Sequence, residues 1–206
     1  SWGLRCTMLD PDTGLFWCAP QNAPYNFVSF DPQTNAFTKY PETHPHHLGK
    51  NKGRNGPLRR HAHKRSPGGF FWVSSQSGTL YKFWPDTRKT ETVTHLWADE
   101  TYAPRIEMSD DCRFIYYMPN LVQSHSYHQP VMQFDTRTGK RKVIAFTDDY
   151  SFEKYGFYNG GAHGLALSAD GSTLVFNLNG AFKPRIEPFY GNPAIMVVHI
   201  PKGERE

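Results

Sequence analysis

The sequence predicts an all-β fold, and its composition and turn residues are the observations that predict it. Phe, Trp and Tyr make up 15% of the 206 residues, and 17 glycines and 16 prolines interrupt the chain. Aromatic residues favour strands, whereas Gly and Pro mark turns. No apolar run with helical periodicity has a convincing length. The composition also excludes disordered and collagen-like chains, and no run approaches the ~20 apolar residues of a membrane span.

A repeated unit of four strands runs through the chain. In each of four segments, a short strand, a polar turn with Asp or Gly and an aromatic strand follow one another. A third strand follows in all four, and a fourth follows in the first three, at 36–40, 90–96 and 142–146. Antiparallel units of roughly 40–50 residues are the sequence sign of a β-propeller. We predict a propeller portion of about four four-stranded blades, with a β-sandwich as the structural alternative.

The turn residues place the strands of each blade in order. In the first blade, Asp-Pro-Asp-Thr-Gly at 10–14 joins the first two strands, and Asp-Pro-Gln-Thr at 31–34 ends the third. Related turns at 85–87 and 135–139 end the third strands of the next two blades. Pro sets the first central turn angle, while Asp, Thr and Gly close the turn. The predicted blades are 1–42, 59–97, 103–147 and 162–206.

The fourth blade is predicted to lack its outer strand. Only the polar residues 201–206 follow its third strand, and the first blade begins directly with its innermost strand. Four blades are also at the low end of the usual range. We therefore expect a portion of a larger propeller of about six to eight blades, with early blades before Ser1. Partner chains that complete the ring are the alternative.

The net charge of +4 is concentrated in a long loop predicted at 43–67. Between Lys50 and Arg65 the chain carries seven Lys and Arg residues and no acid. Such a loop can bind an acidic polysaccharide or nucleic acid, or it can simply be solvated. No nucleic-acid-binding module surrounds it, so nucleic acid is not an expected partner.

Three histidines in this loop are candidate metal ligands. His61 and His63 would face the same side of a strand, and His47 or its neighbour His46 would complete the set. The metal would be a divalent ion, such as Ca, Mn or Zn. The spacing matches no defined motif, and a flexible basic loop without metal is the alternative.

Three arginines fall at equivalent positions when the units are aligned by their aromatic second strands. Arg5, Arg60 and Arg105 enter the innermost strands, close to the predicted central channel, and Gly164 takes this position in the fourth unit. Guanidinium groups bind carboxylate, sulfate and phosphate through paired hydrogen bonds. These arginines are therefore the candidate substrate-binding residues. Alternatively, each arginine pairs with an acid of the next blade and is structural.

One blade segment carries a family resemblance. The run at 161–176, Gly-Ala-His-Gly-Leu-Ala-Leu-Ser-Ala-Asp-Gly-Ser-Thr-Leu-Val-Phe, resembles the blade motif of the streptogramin lyase and gluconolactonase-like propellers. The turns at 31–34 and 134–139 are similar to the blade-closing turns of those proteins. The gluconolactonase group places a metal-binding Asn where His163 stands here. The streptogramin lyase group has a His-Gly pair in its blades, which implies that His163 faces the channel.

These residues together predict a lyase acting on an acidic carbohydrate, or a related lactone-directed enzyme. Arginine would stabilise the substrate carboxylate as its α-proton leaves, His163 would accept that proton, and Tyr102 or Tyr158 would protonate the leaving oxygen. A hydrogen-bonded structural histidine is the alternative for His163. A non-catalytic propeller that binds a protein or glycan through its loops is the alternative for the whole chain. We expect a secreted or periplasmic protein.

Overall fold

The computed structural model describes residues 4–20, 26–43, 60–61, 64–75, 78–97, 103, 105–120, 129–182 and 191–206. Within these ranges, antiparallel strands form four sheets, each with its strands in sequence order. This arrangement confirms the predicted all-β propeller, with each sheet as one blade. In this described part of the chain, no helix is long and apolar enough to cross a membrane.

Three blades have four strands each. Blade one consists of β1 (Leu4–Leu9), β2 (Phe16–Pro20), β3 (Asn26–Asp31) and β4 (Ala36–Thr43). Blade two consists of β5 (Arg60–His61), β6 (Phe71–Ser74), β7 (Thr79–Trp84) and β8 (Lys89–His95). Blade three consists of β9 (Ile106–Met108), β10 (Phe114–Tyr117), β11 (Pro130–Asp135) and β12 (Arg141–Phe146).

Blade four has three strands among the described residues. They are β13 (Phe157–Leu167), β14 (Thr173–Phe182) and β15 (Asn192–His199), and a short 3-10 helix (Lys202–Glu204) follows them. The strand order β13-β14-β15 leaves β15 at the outer edge of the sheet. This agrees with the expectation that no outer strand follows within the chain.

The chain divides into two compact units, Ser1–Tyr102 and Ala103–Glu206. In the first unit, blades one and two bury an aromatic core. Its buried members are Met8, Trp17, Phe27, Phe71, Val73, Tyr81 and Phe83. In the second unit, blades three and four bury a more aliphatic core. Its buried members are Phe114, Tyr116, Met118, Val131, Ala162, Leu174, Phe176, Leu178 and Ile200. Burial of these apolar side chains is the main stabilising contribution in both units.

Four turns of the first three blades share one backbone conformation. The fifth residue of each turn has a positive φ, at 73° for Gly14, 54° for Asn35, 57° for Arg88 and 70° for Gly139. Aspartate begins three of these turns, and Asp31, for example, accepts a hydrogen bond from the N–H of Gln33 at 2.8 Å. The predicted role of the Asp, Thr and Gly residues in these turns is therefore what the structure shows.

Two elements depart from the sequence analysis. A nine-residue helix, α1 (Thr147–Tyr155), connects blades three and four, where no helix was expected. Acidic residues in its first turn favour the helix N-terminus, and Gly156 ends it in the left-handed conformation, with φ of 67°. Strand β13 then begins at Phe157, before the expected start of blade four at 162. Tyr158 consequently lies within a strand and not in a loop.

Candidate functional site

Arg105 and His163 meet at the first strands of neighbouring blades. Arg105 directly precedes β9 and is half-buried, and His163 lies in β13 with an exposed side chain. The Nε of Arg105 donates a hydrogen bond to the main-chain oxygen of His163 at 2.8 Å. This bond engages the Nε of the guanidinium group. The second unit therefore joins one predicted binding residue to the predicted proton acceptor.

The strand registers give the partners of the positions at which the arginines and Gly164 were aligned. Arg60 pairs with Ser74, and Gly164 pairs with Asn177. Arg105 precedes Ile106, which pairs with Tyr117 at the corresponding end of blade three. The side chains of Arg5 and Arg60 lie outside the described part of the chain.

Gly164 has a packing explanation. A Cβ atom added to Gly164 would lie 3.1 Å from the Cβ of Asn177 on the paired strand. This contact is tighter than ordinary side-chain packing, so the missing side chain is accounted for by the approach of β13 to β14. It need not leave space for a ligand.

Tyr158 lies away from this pair. It is opposite Ala181 in the sheet, and its ring centroid is 4.4 Å from that of Phe152 in α1. Tyr158 and His163 are five positions apart in β13, or about 15 Å along an extended strand. The structure does not bring Tyr158 to the Arg105–His163 pair. Tyr102 lies outside the described residues.

The predicted metal ligands fall largely outside the described part of the chain. His47 and His63 are not among the described residues, and for His61 only the backbone, in β5, is described. Within the described ranges, no three His, Cys, Asp or Glu side chains are close enough together to hold a metal ion. The metal site therefore stays a prediction from the sequence.

A large apolar cavity in the second unit was not predicted. Its volume is about 740 Å³, and it lies beside β15, between this strand, the end of β12 and α1. Aromatic side chains contribute much of its wall, namely Phe146, Tyr150, Tyr155, Phe157 and Phe182. Ile195 and Val197 of β15 line it as well. A cavity of this size and composition is typical of binding sites. Its only sequence signal is the run at 194–198. This run is apolar at all five positions, although β15 lies at the edge of its sheet.

The polar groups beside this cavity bond to one another. Asp148 accepts a hydrogen bond from the N–H of Asn159 at 2.7 Å, and the hydroxyl of Ser151 lies 3.3 Å from the side-chain oxygen of Asn159. The hydroxyl of Thr147 donates to the main-chain oxygen of Gln129 at 3.1 Å. This network joins α1 to β13 and to the start of β11 in blade three. The cavity consequently offers mainly apolar surface to an occupant.

Comparisons with known proteins relate this chain to others by fold alone. No protein-family model matches it, and no curated protein matches it. Hydrazine synthase of Kuenenia stuttgartiensis is similar with a TM-score of 0.57 at 17% identity, over 96% of this chain and 46% of that chain. The extracellular domain of a hybrid two-component system of B. thetaiotaomicron is similar with a TM-score of 0.51 at 14% identity, over 98% of this chain and 23% of that chain.

A third similar structure, the tricorn protease, has a TM-score of 0.49 at 17% identity, over 95% of this chain and 18% of that chain. Of the three, hydrazine synthase and the extracellular domain, with TM-scores of 0.57 and 0.51, are propeller-like, which supports the propeller fold. This chain spans less than half the length of each of them.

Proposed function

We propose that this propeller domain binds an acidic carbohydrate at the Arg105–His163 pair and cleaves it as a lyase. The observation that carries the proposal is the 2.8 Å hydrogen bond between Arg105 Nε and the main-chain oxygen of His163. It brings the Arg105 side chain to the backbone of His163, a residue of the neighbouring blade whose side chain is exposed. The streptogramin lyase-like motif around His163 supports the same assignment.

The proposed reaction is a β-elimination. The terminal nitrogens of Arg105 bind the uronate carboxylate and stabilise the negative charge that develops when the neighbouring C–H bond breaks. The neutral imidazole of His163 accepts the proton, and the C–H electron pair forms a carbon–carbon double bond. The C–O bond to the next sugar breaks, and its oxygen leaves with the electron pair. Tyr102 is the candidate donor of a proton to that oxygen, from its place in the sequence.

Turnover and binding can be measured separately for the two residues. Wild type and variants would be incubated with soluble uronate polysaccharides, and the unsaturated product would be followed by its ultraviolet absorbance. Arg105→Ala should raise KM by about tenfold or more, because a charged hydrogen-bond partner is lost. His163→Ala should reduce kcat by about a hundredfold with little change in binding. Arg105→Lys separates charge from the planar guanidinium geometry.

Arg137→Ala is the matched control, since Arg137 is an exposed arginine of the same blade. Wild-type turnover in both Arg105→Ala and His163→Ala would refute the proposed site. A loss of activity in Arg137→Ala of the same size would show that the effects are not local.

The basic run between Lys50 and Arg65 favours a second candidate function, in which the propeller binds an anionic glycan without cleaving it. In this case, Arg105→Ala and His163→Ala would keep wild-type binding on a glycan array, whereas deletion of 51–58 would abolish it. The two candidates therefore predict opposite responses in the same set of variants.

A further inference from the structure

The outer edge of β15 is open in a way that the third strands of the other blades are not. In blades one, two and three, the third strand pairs with a fourth, namely β4, β8 and β12. In blade four, β15 pairs with β14 on one side and has no described strand on the other. An open strand edge presents unpaired N–H and C=O groups that can pair with a further strand.

The direction of these main-chain groups follows from one hydrogen bond. The N–H of Ile200 donates to the main-chain oxygen of Ser172 at 2.7 Å, so Ile200 faces β14. Because main-chain groups alternate sides along a strand, those of Ile195, Val197 and His199 face the open edge. Pro193 belongs to this outward set, where the absence of an N–H group costs no ladder bond. The edge therefore presents three outward N–H groups at every second residue.

Apolar side chains lie along this edge and form a slot beside it. The cavity of about 740 Å³ follows β15, and Phe146, Tyr150, Tyr155 and Phe182 line it. Ile195 and Val197 are 67% and 64% exposed, although both are large and apolar. A small apolar ligand could cover these side chains but would leave the outward N–H and C=O groups without partners. An extended polypeptide strand satisfies both requirements at once.

We infer that the outer edge of β15 is an acceptor site for one antiparallel β-strand of a partner polypeptide. The outer strands of the other blades define the chemistry of this occupant. β4, β8 and β12 are six to eight residues long and mostly exposed, and they mix Thr, Lys and Glu with apolar residues. The partner strand should have this length and this mixture of polar and apolar residues. The inference does not depend on the proposed lyase activity.

Hydrogen exchange of the full chain tests this geometry first. In the free protein, the N–H groups of Ile195, Val197 and His199 should exchange rapidly, whereas those of Met196 and Val198 should be protected. Protection of the outward three in the free chain would overturn the inference, because the edge would already be covered.

Peptide binding tests the occupant. The probes are synthetic peptides with the sequences of β4, β8 and β12, labelled for fluorescence anisotropy. Binding should protect the three outward N–H groups, and a peptide N-methylated at alternate residues should bind at least tenfold more weakly. Failure of all three peptides to protect these groups would overturn the inference, as would equal binding of the methylated form.

The variants Val197→Pro and Val197→Thr form a matched pair at one position. Proline removes the outward N–H at a place where a strand edge tolerates it, whereas threonine keeps the N–H and the branched shape. We expect at least a tenfold loss of peptide affinity in Val197→Pro and less than threefold in Val197→Thr. Equal affinity of both variants would contradict strand addition. A wild-type dimer that becomes monomeric in Val197→Pro would instead make a second copy the occupant and overturn the partner-strand inference.

Discussion

At the scale of single residues, two equivalent turns show how the blades tolerate sequence change. Ser109 and Ser168 each begin a turn in which the serine hydroxyl donates to an aspartate, Asp111 at 2.7 Å or Asp170 at 2.6 Å. The next residue is left-handed in both, with φ of 59° at Cys112 and 70° at Gly171. Glycine adopts this conformation without steric cost, but cysteine does not.

Cys112→Gly is therefore expected to stabilise the protein. Relief of the left-handed conformation contributes about 1–2 kcal/mol, and the added entropy of glycine in the unfolded chain offsets about 0.5–1 kcal/mol. The net gain should be about 0.5–1 kcal/mol in the free energy of unfolding, measured by urea denaturation. Gly171→Ala should be destabilising. A stabilised Gly171→Ala together with a destabilised Cys112→Gly would show that this turn conformation is misassigned.

The turn aspartates also make stability depend on pH. The N–H of Gln33 and the hydroxyl of Thr34 lower the pKa of Asp31, and the hydroxyl of Ser168 and the N–H of Ser172 lower the pKa of Asp170. A lowered pKa in the folded state means that the unfolded chain binds protons first as the pH falls. This stabilisation is therefore present above the unfolded pKa of about 4 and is lost progressively below it.

We expect the urea midpoint to fall between about pH 6 and pH 3, and Asp170→Asn to show a smaller fall than wild type. Circular dichroism at each pH measures both. If the urea midpoint of Asp170→Asn falls as steeply as that of wild type, the pH dependence does not come from this carboxylate.

At the scale of the elements, an arginine connects the turns of blades one and two. Arg65 forms ion pairs with Asp10 at 3.1 Å, with Asp12 at 2.6 Å and with Asp86 at 2.9 Å. The side chain of Asp10 is fully buried, while those of Asp12 and Asp86 are exposed. Only the bond to Asp10 should therefore contribute strongly, because exposed pairs are screened by water.

Arg65→Ala should reduce the free energy of unfolding by about 3 kcal/mol, since it leaves the buried Asp10 carboxylate without its cation. Arg137→Ala is the control, because Arg137 and Asp111 are both exposed and lie 3.5 Å apart. The control should change stability by about 0.5 kcal/mol or less. Equal effects of the two substitutions in thermal unfolding would argue against a special role of Asp10.

The strands of the blades were predictable from the sequence, because short aromatic-rich runs, such as those of β6 and β10, lie between turn signals. Helix α1 was not predictable, since it is short and its packing depends on Asn159 of the next strand. Aligning the blades places Arg105 and Gly164, the neighbour of His163, at equivalent positions. The alignment does not predict the bond between Arg105 and His163, because the two residues lie in different blades. The cavity beside β15 could not be predicted, because its walls come from five separate elements, β12, α1, β13, β14 and β15.

At the scale of the whole molecule, each compact unit is a pair of blades with its own core. The second unit carries both proposed sites, and each includes a different strand of blade four. His163 lies on the first strand, β13, and the acceptor edge lies on the third, β15. Variants at one site should therefore leave the other unchanged, because the two sets of residues share no contact that the proposals use.

Measuring both strand binding and carbohydrate turnover in the same variants checks that the two sites are independent. Val197→Pro should lose strand binding with wild-type turnover of the carbohydrate, and His163→Ala should lose turnover with wild-type strand binding. A loss of both properties in either variant would indicate a folding defect or a single shared site.

The central claim, that the Arg105–His163 pair catalyses elimination, is tested most directly by the mass of the product formed in water enriched in heavy oxygen. Elimination adds no water, so the predicted product carries a double bond and no heavy oxygen, and His163→Ala should form almost none of it. A product that contains heavy oxygen would show hydrolysis, and unchanged product formation by His163→Ala would remove His163 from the reaction. Either result would contradict the proposed function.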